Sequence, residues 1–104
     1  GLGSHPQHER ARALFGGRYG ALLSFELQPG LDTLAMLDRL QVAILSSHLS
    51  DTRTLAIPVA QTIFWEMGPQ RRADMGIADG LVRLSVGIEP LADLQADFAR
   101  ALKG

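Results

Sequence analysis

The sequence predicts an α+β sandwich of about four mainly antiparallel strands with the longer helices packed on one face. Two stretches, 20–28 and 80–88, alternate apolar and polar residues with the period of two that marks a strand. Two others, 31–40 and 91–102, space their apolar residues for one face of a helix. Helical and strand patterns follow one another without repeats or low-complexity segments.

Taken in order, Ser4 and Gln7 form a capping-box pattern around Pro6, a residue suited to a first helical turn, and Gly16-Gly17 supplies the stop. The first helix is expected over His5 to Phe15. From Gly20 to Gln28, Ala21, Leu23, Phe25 and Leu27 oppose Leu22, Ser24, Glu26 and Gln28, a half-buried strand closed by Pro29-Gly30. Leu31, Leu34, Ala35, Met36, Leu37 and Leu40 give a second helix its stripe, leading into a second strand near Ala43 to His48. Thr54 to Val59 reads as a third strand. Pro58 has no N–H for the ladder and marks an edge, a bulge or the strand's end. Gly68-Pro69 opens a short polar helix that Gly76 closes, and strand four is expected over Gly80 to Ile88. Pro90, at a first-turn position, precedes Leu91, Leu94, Phe98 and Leu102 on one face of a terminal helix that should cover the sheet.

With 104 residues the chain suits one domain, burying roughly 65% of its unfolded surface. Ten basic and eleven acidic side chains, with scattered arginines, leave no electrostatic footprint for nucleic acid or an anionic membrane surface. No apolar run reaches the roughly 18 residues of a membrane span, and the start lacks the pattern of a secretory signal. The absence of cysteine excludes disulfides and a thiolate nucleophile, and favours the cytoplasm. His5 and His8, three apart without a third ligand, do not make a metal site.

The stretch IADGLVRLSVGIE, Ile77 to Glu89, carries the best functional clue. Val82, Leu84, Val86 and Ile88 share one face, whereas Leu81, Arg83, Ser85 and Gly87 share the other. An arginine on a rigid strand suits a carboxylate, because its planar fork matches two oxygens and the strand fixes its position. A solvated arginine on an open sheet face is the competing reading.

Four ordered segments resemble the pyridoxal-phosphate-dependent enzymes of cysteine and methionine metabolism. Gly1 to Glu9, GLGSHPQHE, is similar to that family's GLxSHPQHE signature, and Gly80 to Glu89 is similar to its closing motif. Leu23-Ser24-Phe25-Glu26-Leu27 and Asp51-Thr52-Arg53-Thr54-Leu55 fall between them in the family's order. The resemblance covers only the small C-terminal domain of such enzymes, which include cystathionine γ-synthase, cystathionine γ-lyase, methionine γ-lyase and the O-acetylhomoserine sulfhydrylases. It implies that residues 1–104 form one C-terminal, substrate-binding domain, that the cofactor-binding domain precedes Gly1, and that the parent is a homo-oligomer catalysing β/γ-elimination or γ-replacement on sulfur amino acids or activated homoserine. Pyridoxal phosphate would be bound by that other domain. This agrees with the chemistry of the chain, whose one lysine, Lys103, lies at the very end.

By resemblance, Arg83 binds the substrate's α-carboxylate. Ser47 and His48 fall in a turn that contributes substrate contacts, although the family usually has serine or asparagine where His48 stands and glycine where Ser50 stands. The segment Pro58 to Phe64, PVAQTIF, departs from the family's HPASTTH-like pattern, and Ile63 to Met67 suits either core or a surface for the cofactor domain. The GLGSHPQHE start leans toward the γ-synthase and γ-lyase branches. Two other readings compete: a stand-alone α+β module binding a small carboxylate, and a non-catalytic assembly domain.

Overall fold

In the computed structural model, which describes Gly1 to Gly104, the elements run α1 (His8–Phe15), β1 (Leu22–Glu26), α2 (Thr33–Asp38), β2 (Ile44–Leu45), β3 (Leu55–Pro58), a 3-10 turn (Trp65–Met67), α3 (Pro69–Asp74), β4 (Leu81–Ser85) and α4 (Leu91–Lys103). The four strands lie in the order β1-β4-β3-β2. The pairs β1/β4 and β4/β3 are antiparallel and β2/β3 is parallel, so the mainly antiparallel sheet predicted from sequence is present.

One sheet face holds the core. Val82, Leu84 and Ala56 pack there with Leu27, with Met36 and Leu37 of α2, and with Ala101 of α4, while Phe25, Leu40, Val86 and Phe98 pack around them. Phe25 meets Phe98 edge to face at 6.2 Å between ring centroids, a favoured aromatic geometry. Asp32 caps α2 by accepting the Ala35 N–H at 3.0 Å. Pro58 ends β3 rather than marking an edge: the strand is interior, and Pro58 offers its carbonyl to the Thr62 hydroxyl at 2.5 Å. No helix is long and apolar enough to cross a membrane.

Several expectations change. The capping box at Ser4 does not form; tight turns join His5 N–H to the Leu2 carbonyl and His8 N–H to the His5 carbonyl, so α1 begins only at His8. β1 is less buried than expected, because it is the sheet's edge and Leu22 and Leu23 lie beyond the helical cover. β4 ends at Ser85, and Ile88, expected in the core, is 82% exposed. The chain turns away there because Gly87 lies against the Thr52 carbonyl, where any Cβ would collide.

The buried stripe of α4 is also rotated from the expected one. Leu91 and Leu102 are exposed, whereas Leu94, Asp97 and Ala101 are buried, and Pro90 stands at the N-cap position. Asp97 causes the rotation. It is only 1% exposed, and its carboxylate accepts the consecutive backbone N–H groups of Gln41 (2.8 Å), Val42 (2.8 Å) and Ala43 (2.9 Å), with Arg100 of the same helix as a further donor. Burial alone would raise its pKa, but those donors outweigh burial and hold the carboxyl below its usual range.

A carboxyl depressed in the fold contributes stability that is present above its unfolded pKa, near pH 4, and is lost as pH falls through its folded value. Asp97→Ala is therefore expected to cost about 3–5 kcal/mol at neutral pH, and Asp97→Asn about 2–3 kcal/mol, because three backbone N–H donors lose a buried, charged acceptor. Urea unfolding at pH 7 and pH 3 checks this: the gap between wild type and Asp97→Ala narrows at the lower pH. An equal gap at both would contradict it.

Candidate functional site

Arg83 sits in the middle of β4, flanked in register by Ser24 of β1 and Ile57 of β3. It lies on the sheet face opposite Val82 and Leu84, and is half-buried. Its guanidinium makes one hydrogen bond within the chain, donated from Nη2 to the Ser47 carbonyl at 3.0 Å. No carboxylate pairs with it: the chain's ion pairs are Arg12–Glu9 and Arg100–Asp97. A neutral carbonyl thus aims the fork without neutralising it, leaving the remaining N–H groups for an anion.

The 46–54 turn holds that carbonyl in place. β2 delivers it, since Ser46 N–H donates to the Ala56 carbonyl at 3.1 Å, and Ser46 Oγ accepts the His48 N–H at 3.1 Å. Ser50 has a left-handed backbone, φ +59°, and donates its N–H to the buried Ser85 Oγ at 2.9 Å, pinning the turn over β4. Next, Asp51 Oδ1 accepts the Arg53 N–H at 2.9 Å, which with the Thr52 hydroxyl holds the Asp51 carboxyl below its usual range.

Of the sequence-predicted residues, the structure brings Arg83 and Ser47 together, through Ser47's backbone. The side chain of Ser47 and the imidazole of His48 are exposed and make no hydrogen bond within the chain. None of the chain's concavities is lined by Arg83, Ser47 or His48; the one beside Pro69 and Ala73, about 450 Å³, is bounded by Glu26 and Asp79 at the other end of the sheet. The arrangement presents a cation on a wall, open on its other sides.

Sequence reasoning missed the support behind this wall. Glu89 accepts both the backbone N–H (2.7 Å) and the hydroxyl (2.7 Å) of Thr54, and the Thr54 hydroxyl accepts the Gly87 N–H at 2.9 Å. Desolvation raises the Glu89 pKa, but these donors prevail and lower it. The signal in the sequence is an acid just after a strand and a glycine.

Pyridoxal phosphate finds no seat in these residues. Lys103 is exposed at the C-terminal end of α4 and lines no concavity, so the chain offers no enclosed amine for a Schiff base. No group of three or more His, Cys, Asp or Glu gathers to hold a metal ion.

The chain resembles known proteins over nearly its whole length. A family model described as Cys/Met metabolism PLP-dependent enzyme matches residues 1–103. The chain is 42% identical over 103 residues to O-succinylhomoserine sulfhydrylase of Pseudomonas aeruginosa, covering 98% of this chain and 25% of that protein. It is 40% identical to O-acetyl-L-homoserine sulfhydrylase 1 of Thermus thermophilus, covering 98% of this chain and 24% of that one. The crystal structure of cystathionine gamma-lyase from Lactobacillus plantarum complexed with L-serine superposes with a TM-score of 0.86 at 35% identity, over 99% of this chain and 27% of that one. The chain thus spans about a quarter of the length of these relatives. Identity to these two sulfhydrylases exceeds that to this γ-lyase.

The left-handed Ser50 yields a stability prediction. Ser50→Val is expected to cost about 1–3 kcal/mol, since a β-branched residue resists positive φ, whereas Ser50→Gly is neutral or stabilises by up to about 1 kcal/mol. Chemical denaturation of both variants measures the difference. Equal stabilities would contradict a left-handed backbone at that position.

Proposed function

The chain belongs to the Cys/Met metabolism PLP-dependent enzyme family, and from that premise we propose that residues 1–104 are the C-terminal substrate-binding domain of a longer enzyme, in which Arg83 captures the α-carboxylate of the amino-acid substrate. The observation that carries this reading is a guanidinium on the central strand pair, aimed by the Ser47 carbonyl at 3.0 Å and lacking any carboxylate partner. A bidentate contact to a carboxylate is charge-assisted and directional, so it fixes the substrate's Cα as well as binding it. Ser47 and His48, exposed beside it, line the same approach: the Ser47 hydroxyl and the imidazole are free to donate to a substrate oxygen.

The substrates on this reading are sulfur amino acids or activated homoserine, and the reaction is β/γ-elimination or γ-replacement. Pyridoxal phosphate would supply electron withdrawal from the substrate's Cα and would be held by residues outside this chain. The chain itself binds, orients and walls the substrate. Exposed Leu14 and Phe15 of α1, together with Ile63 and Trp65, favour cover by the cofactor-binding domain or a second subunit over a stand-alone carboxylate-binding module, because large apolar groups left in water are unfavourable.

In the full-length protein, Arg83→Ala is expected to weaken amino-acid binding by about 10- to 150-fold, the equivalent of about 1.5–3 kcal/mol for a charge-assisted bond, with Arg83→Lys intermediate. Equilibrium titration with substrate and substrate analogues measures this. Unchanged affinity in Arg83→Ala would overturn the assignment.

A further inference from the structure

Ser85 is 2% exposed, and its two neighbours in register, Leu22 of β1 and Leu55 of β3, are apolar. A buried hydroxyl is unfavourable in such a place unless a hydrogen bond compensates, and an alanine would occupy it without that cost. The compensation is a single bond: Ser85 Oγ accepts the Ser50 N–H at 2.9 Å. Ser50 donates from a left-handed backbone, φ +59°, which a residue with a Cβ adopts at a cost. A conformation of that kind persists where the surroundings impose it, and the Ser85 hydroxyl supplies the hold.

Arg83 and Ser85 share the sheet face opposite Val82 and Leu84, two positions and about 7 Å apart along β4. Between them they bracket one short stretch of turn. At one end Arg83 Nη2 donates to the Ser47 carbonyl at 3.0 Å, and at the other Ser85 Oγ accepts the Ser50 N–H. From Ser47 to Asp51 these are the two hydrogen bonds that reach another part of the chain. The others, from His48 N–H to Ser46 Oγ and from Asp51 to Thr52 and Arg53, are local. β2 fixes Ser46, and Ser85 fixes the turn beyond it. An arginine side chain has several rotatable bonds and a serine has one, so the serine end holds the turn and the turn holds the guanidinium.

We propose that Ser85 is a positioning residue for the carboxylate site: by holding the Ser50 N–H it keeps the Ser47 carbonyl where that carbonyl aims the Arg83 guanidinium, and so sets affinity for the substrate's carboxylate without touching the substrate. This rests on the reading of Arg83 as the carboxylate site. It gives the buried hydroxyl and the left-handed Ser50 a common purpose, the preorganisation of the cation.

The test is equilibrium titration of the full-length protein with L-methionine and with its decarboxylated amine, the same molecule without the carboxylate. The proteins compared are wild type, Ser85→Ala, Ser85→Cys, Arg83→Ala and the double variant of Ser85→Ala with Arg83→Ala. Ser85→Ala is expected to weaken L-methionine binding about 3- to 10-fold, the scale of one hydrogen bond, and to leave binding of the amine within about twofold. Ser85→Cys, whose thiol is a weaker acceptor, shows a smaller loss with the same selectivity, and it decides the matter if Ser85→Ala does not fold. In the double variant the Ser85→Ala loss disappears, because a residue that acts through Arg83 has nothing left to aim. A role confined to folding would weaken both ligands alike, or act equally with and without Arg83, and either result overturns the proposal. Arg83→Ala separates the two claims. If it selectively weakens L-methionine while Ser85→Ala and Ser85→Cys do not, only the positioning role fails; if it leaves L-methionine binding unchanged, the carboxylate site fails and the positioning role with it.

Discussion

Asp97 is the constraint on which the geometry of the open face depends. Three consecutive N–H groups, at Gln41, Val42 and Ala43, converge on one buried carboxylate of the terminal helix. These residues immediately precede β2, so the carboxylate fixes where that two-residue strand begins. β2 then pairs Ile44 with Leu55 and Leu45 with Ala56, and the next bond, Ser46 to Ala56, delivers Ser47 to Arg83. A strand this short has little register preference of its own. The anchoring comes from α4, whose Asp97 lies more than fifty residues away in sequence, with Arg39 returning a bond from its Nε to the Ala101 carbonyl at 2.8 Å.

A second anchor works beside the first, at the C-terminal end of β4. Glu89, Thr54 and Gly87 tie the chain leaving β4 to the chain entering β3, and the close approach of Gly87 to the Thr52 carbonyl admits no side chain. Together with Ser50 on Ser85, this holds the 46–54 turn against β4 from both sides. The guanidinium of Arg83 is consequently aimed before any ligand arrives, so less ordering is needed on binding. No carboxylate pairs with that guanidinium and no concavity encloses it, which suits half of a site that a further domain completes.

The faces of β4 were legible in the sequence because period-two alternation is strong there: Val82 and Leu84 reach the core and Arg83 the other side. The helix pattern at 91–102 gave the element but not its rotation. Asp97 looks like an ordinary polar position in an amphipathic helix, and nothing local says that its partners lie at 41–43. Likewise, Ile88 continues the alternation by composition, but the geometry of Gly87 ends the strand first. Resemblance carried what periodicity could not, singling out Ser50 as a position where glycine is usual; the backbone there is left-handed. Ser47 meets Arg83 through its carbonyl, a contact that no residue type announces, because hydrogen bonds from a strand to a turn are set by tertiary register rather than by side-chain identity.

The most direct measurement is a crystal structure of the full-length protein with an amino-acid substrate or an unreactive analogue bound. The account predicts that the ligand's α-carboxylate lies about 2.7–2.9 Å from the guanidinium nitrogens of Arg83, with the Ser47 carbonyl still accepting from Nη2. A carboxylate held by other residues, with Arg83 turned to solvent, would contradict it.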